Sequence, residues 1–260
     1  MLVWQVEPVA ISAFGLNIHW YGLFFASALL IGSHVMKAFF QREQVSLILL
    51  DKFFYAIVAG VIIGARLLHC LAYEPEYYLA RPLEILYFWQ GGLASHGGGL
   101  GALMGAAWVC HRQQISLWWL LDRMVFPTLI FAMMVRIGNF FNSEIYGIPT
   151  QQPWGVVFAR IDELGRHPVQ LYEAVAYGVA LVLIASNWQR LIRHQAASFA
   201  VFLLLVFIIR IGLEFFKVEQ ASYQHGGLFT VGQWLSVPFV LAGCALWLWS
   251  LKQGPSISQR

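Results

Sequence analysis

Stretches of about 20 apolar residues recur along this chain, and a water-soluble protein of its size has no interior large enough to hold them all. A helix rises 1.5 Å per residue, so about 20 mostly apolar residues cross the hydrocarbon core of a bilayer. Seven segments reach that length, roughly 16–38, 53–73, 93–110, 118–141, 169–188, 199–217 and 230–250. Polar or Gly/Pro-rich stretches separate them, such as Gln41-Arg42-Glu43-Gln44 and the run from Pro149 to Pro153. Of the 260 residues 59% are hydrophobic and only 11% charged, against about 25% charged in a soluble domain. The expected fold is therefore an all-α membrane protein with seven transmembrane helices, outer-face loops and interfacial segments. It forms a single polytopic domain over residues 1–260, since no internal repeat is visible and the longest connection, Asn142 to Pro168, is too short for a soluble domain.

The Lys/Arg bias of the connections sets orientation. Nine cations flank one side (Lys37, Arg42, Lys52, Arg112, Arg123, Arg190, Arg193, Lys252 and Arg260) and four the other (Arg81, Arg160, Arg166 and Lys217). The richer side is expected in the cytoplasm, which puts the N-terminus outside and the C-terminus inside. Residues 1–14 lack a basic n-region and a small-residue cleavage site, so the first span is expected to direct insertion. The aromatic-rich connection 74–92 suits the headgroup layer.

Several function classes are disfavoured. A net charge of +3 provides no basic patch of the kind nucleic acid requires. Cys70, Cys110 and Cys244 are far apart in apolar runs and are expected to be small core residues. No HExxH, GxSxG or Walker-type loop is present, which argues against metal catalysis and serine hydrolysis.

Charged residues inside spans are costly and are functional candidates by default. Arg66, Arg136 and Arg210 lie well inside the second, fourth and sixth spans. With the orientation above, all three fall in the outer half of the membrane. The inward-running spans carry their polar groups early: His19 and Tyr21, then His96, then His167, Gln170, Tyr172 and Glu173, then Gln233. All seven helices thus point to one polar layer. Arg136, Asn139 and Asn142 share a helix face, as do Asn139 and Ser143. Arg210 and Glu214 are spaced to pair with each other, or each is free to find another partner. Arg66 and Arg136 have no carboxylate at helical spacing, so Glu173, Glu144 or a bound phosphate is expected to answer them. His34, His69, His111 and His194 read as packing or interfacial residues. The glycines following His96, and Gly60 with Gly64, fit close helix packing; those beside His96 also leave room for a ligand.

Five strings occur in order: His19-Trp20-Tyr21-Gly22, Ser95-His96-Gly97-Gly98, Arg136-Ile137-Gly138-Asn139-Phe140-Phe141-Asn142-Ser143-Glu144, Arg166-His167-Pro168-Val169-Gln170-Leu171-Tyr172-Glu173 and Gly232-Gln233-Trp234-Leu235-Ser236. Together they resemble the bacterial prolipoprotein diacylglyceryl transferases over nearly the whole chain. The resemblance implies a seven-span inner-membrane enzyme with its N-terminus outside. Its partners would be phosphatidylglycerol, lipobox-containing preprolipoproteins and membrane lipids, with no cofactor and no nucleic acid. The implied reaction moves the diacylglyceryl group of phosphatidylglycerol to the lipobox cysteine thiol, and glycerol phosphate leaves. By this resemblance Arg136 and Arg210 hold the phosphate. His96 is either the base that takes the thiol proton or a positioning group. Tyr21, Asn139 and Glu144 line the headgroup site, His167 and Glu214 orient or support it, and Arg66, Gly147, Tyr172 and Glu173 complete the substrate-binding set.

Two positions depart from the family pattern. A tyrosine usually stands four residues before the sixth-span arginine, where this chain has Val206, and an arginine seven residues after it, where this chain has Lys217. Lysine keeps the charge but loses the planar fork. The resemblance implies an active enzyme. The alternatives are a divergent paralogue with changed lipid or acceptor specificity, and a non-catalytic lipid-binding or transport protein. Inverted repeats with broken helices would favour a transporter, and the sequence displays neither.

Overall fold

A computed structural model describes residues 1–13, 15–218 and 230–254. Three short strands come first, β1 (Leu2–Trp4), β2 (Val9–Ala13) and β3 (Leu16–His19). Helices α1 (Trp20–Arg42) and α2 (Leu47–Leu68) follow, the latter continued by a π-helical turn over His69–Tyr73. Then come α3 (Pro75–Ala80), two 3-10 turns (Pro82–Leu86 and Phe88–Gln90), α4 (Ser95–Gln113) and α5 (Leu117–Phe141). Strands β4 (Val156–Phe158) and β5 (Gly165–Arg166) precede α6 (Val169–Leu191), α7 (Ala197–Leu213), a 3-10 turn (Glu214–Phe216) and α8 (Val231–Lys252).

Six helical segments among the described residues are long and apolar enough to cross a membrane: Trp20–Arg42, Leu47–Tyr73, Leu117–Phe141, Val169–Leu191, Ala197–Phe216 and Val231–Lys252. Large apolar side chains along them, such as Leu30, Ile48, Val182 and Leu241, are exposed, which only a lipid environment makes favourable. The chain is a mostly helical, multi-pass membrane protein. The segment expected to be the third span is helical, as α4, but is not apolar enough to stand among the six. Its early turns are built of Ser95, His96 and a run of glycines. The first span begins at Trp20, later than expected, because Leu16–His19 pairs antiparallel with Val9–Ala13.

The described residues form two compact units, Met1–Met36 with Leu121–Arg260, and Lys37–Leu120. In the second unit α2 and α4 meet glycine to glycine. A Cβ on Gly60 would overlap the carbonyl of Gly101, one on Gly64 that of Gly97, and one on Gly105 that of Ala56. The reciprocal overlaps hold for Gly97 and Gly101. Close packing of small residues is thus the role of this stripe. Cys70 and Cys110 are buried in the same unit, as expected, whereas Cys244 is exposed on α8.

The first unit holds a sheet that the hydrophobic pattern does not predict. Strand β1 pairs parallel with β4, and β4 pairs antiparallel with β5. Val156 and Phe158 bury against Phe140 at the end of α5, with Trp4, Phe141, Tyr146 and Leu171 packed around them. This core fixes the chain that leaves α5. At the other end of α5, buried Asp122 accepts from the backbone N–H groups of Ala196 and Phe199, both at 2.9 Å. One carboxylate therefore satisfies two of the orphan donors that open α7. Asp122→Ala is expected to cost about 2 kcal/mol, read as a lower unfolding midpoint in detergent; an unchanged midpoint would refute this capping role.

Candidate functional site

Helix α5 ends in a Schellman motif. Ser143 adopts the left-handed conformation, with φ 57°, its N–H bonds the Phe140 carbonyl at 3.0 Å, and the Glu144 N–H bonds the Asn139 carbonyl at 2.9 Å. The helix stops at Phe141, so Asn142 and Ser143 lie in this turn and not on the helical face expected of them. The turn brings Glu144 back over α5. Asn139 Nδ2 lies 3.5 Å from Glu144 Oε2, and Asn142 Nδ2 lies 3.4 Å from Glu144 Oε1. Fully buried Gln170 pins the turn by donating to the Glu144 carbonyl at 2.6 Å. Tyr21 packs against Gly138, where a Cβ would sit 3.0 Å from its ring, one residue from Asn139.

One turn back along α5, Arg136 meets Glu173 of α6, with Nε 2.8 Å from Oε2. Its Nη1 lies 3.5 Å from the Asn139 side-chain oxygen. Of the carboxylates expected to answer Arg136, Glu173 does so. Glu173 is completely buried and has a second cation, Lys217, whose Nζ is 2.9 Å from Oε1. Lys217 also lies 3.4 Å from Glu214. Each buried charge here faces an opposite one, the condition under which a low-dielectric site tolerates charge.

The expected Arg210–Glu214 pair does not form. The Glu214 N–H still bonds the Arg210 carbonyl, and helix α7 then tightens into a 3-10 turn at Glu214–Phe216, which brings residues three apart into line. Glu214 pairs with Lys217 accordingly, and its carboxylate lies against Gly232 of α8. Half-buried Arg210 makes no hydrogen bond or ion pair to another described residue. Tyr177, 3% exposed, lies within the field of Glu173, Arg136 and Arg210. It is absent from the residues expected at the site, although it sits one helical turn beyond Glu173.

The roof of this site is a three-way backbone junction. The Gly147 N–H bonds the His167 carbonyl, and the Ile148 N–H bonds the Phe216 carbonyl, both at 2.9 Å. A Cβ on Gly147 would lie 2.6 Å from both carbonyls, so only glycine threads between these segments. His167 Nδ1 lies 3.1 Å from the Tyr172 hydroxyl, which accepts from Trp154 Nε1 at 2.9 Å. The His167 ring also packs on Phe216. Arg166 binds Asp162 through Nε and Nη2, holding that carboxyl below the ordinary carboxylate range, and donates to the Gly147 carbonyl at 3.3 Å. Gln233 is engaged elsewhere: with Thr230 it forms the capping box that opens α8.

Arg66 and His96 belong to the second unit. Among the described residues no carboxylate answers the Arg66 guanidinium. It donates to the carbonyls of Ile85 at 2.9 Å, Gly91 at 2.7 Å and Glu84 at 2.6 Å, and lies over the Tyr78 ring at 4.9 Å. Gly91 and Gly92, with φ 92° and 66°, shape the turn that presents these carbonyls. Arg66 thus fastens residues 84–92 to the end of α2. His96 is exposed at the start of α4. Its neighbour Gly97 is closed off by Gly64 and Leu68, whereas Gly99 faces open space. His69 stacks on Tyr73 and lies 3.9 Å from Glu74, the packing role expected of it.

The family description that matches the chain, prolipoprotein diacylglyceryl transferase, covers residues 8–249. A relative from Tolumonas auensis, named phosphatidylglycerol–prolipoprotein diacylglyceryl transferase, is 48% identical over 97% of this chain and 99% of its own. Proteins of the same name from Chloroherpeton thalassium and Porphyromonas gingivalis are 44% and 40% identical, over 97% and 95% of this chain and 95% and 93% of theirs. The buried arginine–carboxylate site of the first unit is therefore carried by a chain that belongs to the prolipoprotein diacylglyceryl transferase family.

Proposed function

We propose that this chain transfers the diacylglyceryl group of phosphatidylglycerol to the lipobox cysteine thiol of a preprolipoprotein. The thiolate attacks the diacylglyceryl carbon bound to the phosphate oxygen. A C–S bond forms, the C–O bond breaks, and glycerol phosphate leaves with the electron pair. The observation that carries this reading is a guanidinium at the site that no described carboxylate answers. Arg136 and Lys217 pair with Glu173 and Glu214, whereas half-buried Arg210 has no carboxylate partner among the described residues. A phosphodiester, with its single negative charge, supplies the anion that Arg210 lacks. Guanidinium groups are suited to it because they donate two parallel, charge-assisted hydrogen bonds, which strengthen as charge builds on the leaving phosphate.

In this reading Arg136 and Arg210 hold the phosphate, and Tyr21, Asn139 and Glu144 hold the glycerol headgroup. Glu173, His167, Tyr172, Gly147 and Glu214 fix these groups from α6 and the junction above. Arg66 acts through the segment it fastens. The protein lies in the bacterial inner membrane with its N-terminus outside, and α4 is the seventh span. At 19 residues α4 is about 28 Å long, close to the hydrocarbon thickness, and its glycines lower its apolarity because they serve packing.

The cysteine thiol is nucleophilic only as thiolate, and His96 takes its proton. His96→Gln is expected to lower transfer about 10²–10⁴-fold. Full activity in that variant would assign His96 a positioning role only. The function itself is tested by expressing the chain in a strain depleted of its own diacylglyceryl transferase. Growth and diacylglyceryl-modified lipoproteins are expected; accumulation of unmodified preprolipoprotein would reject the reading.

A further inference from the structure

Glu173 is completely buried, yet it divides its two oxygens between two cations from different elements. Arg136 of α5 takes Oε2 at 2.8 Å, and Lys217, just past α7, takes Oε1 at 2.9 Å. The Lys217 side chain is only 10% exposed. It has a second carboxylate, Glu214, at 3.4 Å. Its backbone is fixed as well, since Lys217 bridges Gly147 at the junction above the site. A lysine held this firmly between two carboxylates is not a surface flank.

With the Glu173 carboxylate against Nε, Arg136 can offer a phosphate its Nη1 and Nη2 donors, but Nε only by displacing the carboxylate. The carboxylate is a resident competitor for the ligand. How strongly it competes depends on how much of its charge is already neutralised, and that is the part Lys217 plays. A buried carboxylate that has two cations holds each less tightly than one with a single cation.

We propose that Lys217 sets how tightly Glu173 holds Arg136, and hence how readily Arg136 turns to the phosphodiester. This rests on the reading that the site binds phosphatidylglycerol. Lys217 is a positioning residue: it acts on the lipid through Glu173 and Arg136.

The test measures both transfer kinetics and direct binding of a short-chain phosphatidylglycerol to the purified full chain by native mass spectrometry. In Lys217→Met, Glu173 is left with Arg136 alone. KM and Kd for the lipid should rise about tenfold with kcat changed less than about threefold, the pattern of lost ground-state binding. Lys217→Arg keeps the cation and should stay within about threefold of the parent Kd. The Glu173→Gln/Lys217→Met double variant removes the competitor with its counter-cation and should recover most of the lost affinity, a non-additivity that a purely structural lysine would not produce. Glu173→Gln alone should bind the lipid more tightly than the parent, which decides the matter if Lys217→Met does not fold. The proposal is overturned if Lys217→Met binds as the parent does, if the double variant is as weak as Lys217→Met, or if Glu173→Gln binds more weakly. A parent protein that binds the lipid but transfers nothing would reject the transferase reading and leave these affinities to judge Lys217.

Discussion

Arg136→Ala should reduce diacylglyceryl transfer by at least about 10³-fold while the protein still inserts. Removing a single well-placed donor to a developing oxyanion costs about 10²–10³ in rate, and the guanidinium supplies several. The alanine also leaves Glu173 buried with Lys217 as its sole ion-pair partner. That change carries a stability cost, because breaking a buried ion pair is expensive. The two effects separate when the folded fraction is measured by size-exclusion in detergent and the rate is expressed per folded molecule. Arg136→Lys keeps a positive charge near Glu173 but loses the fork, so it should recover folding better than activity. A folded Arg136→Ala protein within tenfold of the parent rate would show that the phosphate is held elsewhere.

The largest effect on folding is expected at Gly101. Its missing side chain allows the backbone of α4 to rest on the carbonyl of Gly60, and its Cα lies near the position a Cβ on Gly64 would take. The obstacle to a side chain there is backbone, which cannot rotate away. Gly101→Val must push α2 and α4 apart along the whole stripe, giving up the approach at Gly64 and Gly97 as well. Overpacking typically costs about 1–3 kcal/mol, occasionally more, and this site belongs at the upper end. Little folded protein should be recovered at 37 °C. Gly99→Ala is the matched control, since a Cβ there would have nothing within 4 Å and alanine is the better helix former. It should fold at least as well as the parent. Equal yields from Gly101→Val and Gly99→Ala would mean the two helices are not held by this contact.

Much of the architecture is legible in the sequence because a bilayer imposes a simple rule, about 20 apolar residues per helix. All six apolar spans lie where that rule puts them, to within a few residues. The rule fails where another interaction competes. Leu16–His19 reads as the start of a span but is drawn into a hairpin by Val9–Ala13. The sheet of β1, β4 and β5 is invisible in the sequence because Leu2–Trp4 pairs with Val156–Phe158, more than 150 residues away, and no local pattern announces so distant a partner. Among the site residues, Arg136 is legible as a buried charge in need of an anion, with Glu173 one of the candidates to supply it. Lys217 reads from the sequence as an outer flank and a departure from the family pattern. The 3-10 turn that brings it to Glu214 and Glu173 lies at the end of an otherwise regular helix. Arg66 shows the opposite error, since the donors of a buried guanidinium can be satisfied by backbone carbonyls, and a sequence does not show carbonyls.

The most direct test of the account is made with the purified full chain, phosphatidylglycerol labelled in its glycerol headgroup, and a membrane-anchored peptide bearing a lipobox cysteine. The account predicts that the peptide gains the mass of one diacylglyceryl group as a thioether while an equal amount of labelled glycerol phosphate is released. Both products should disappear together in Arg136→Ala. Release of headgroup without a modified cysteine, or no reaction with a protein shown to be folded and to bind the lipid, would contradict it.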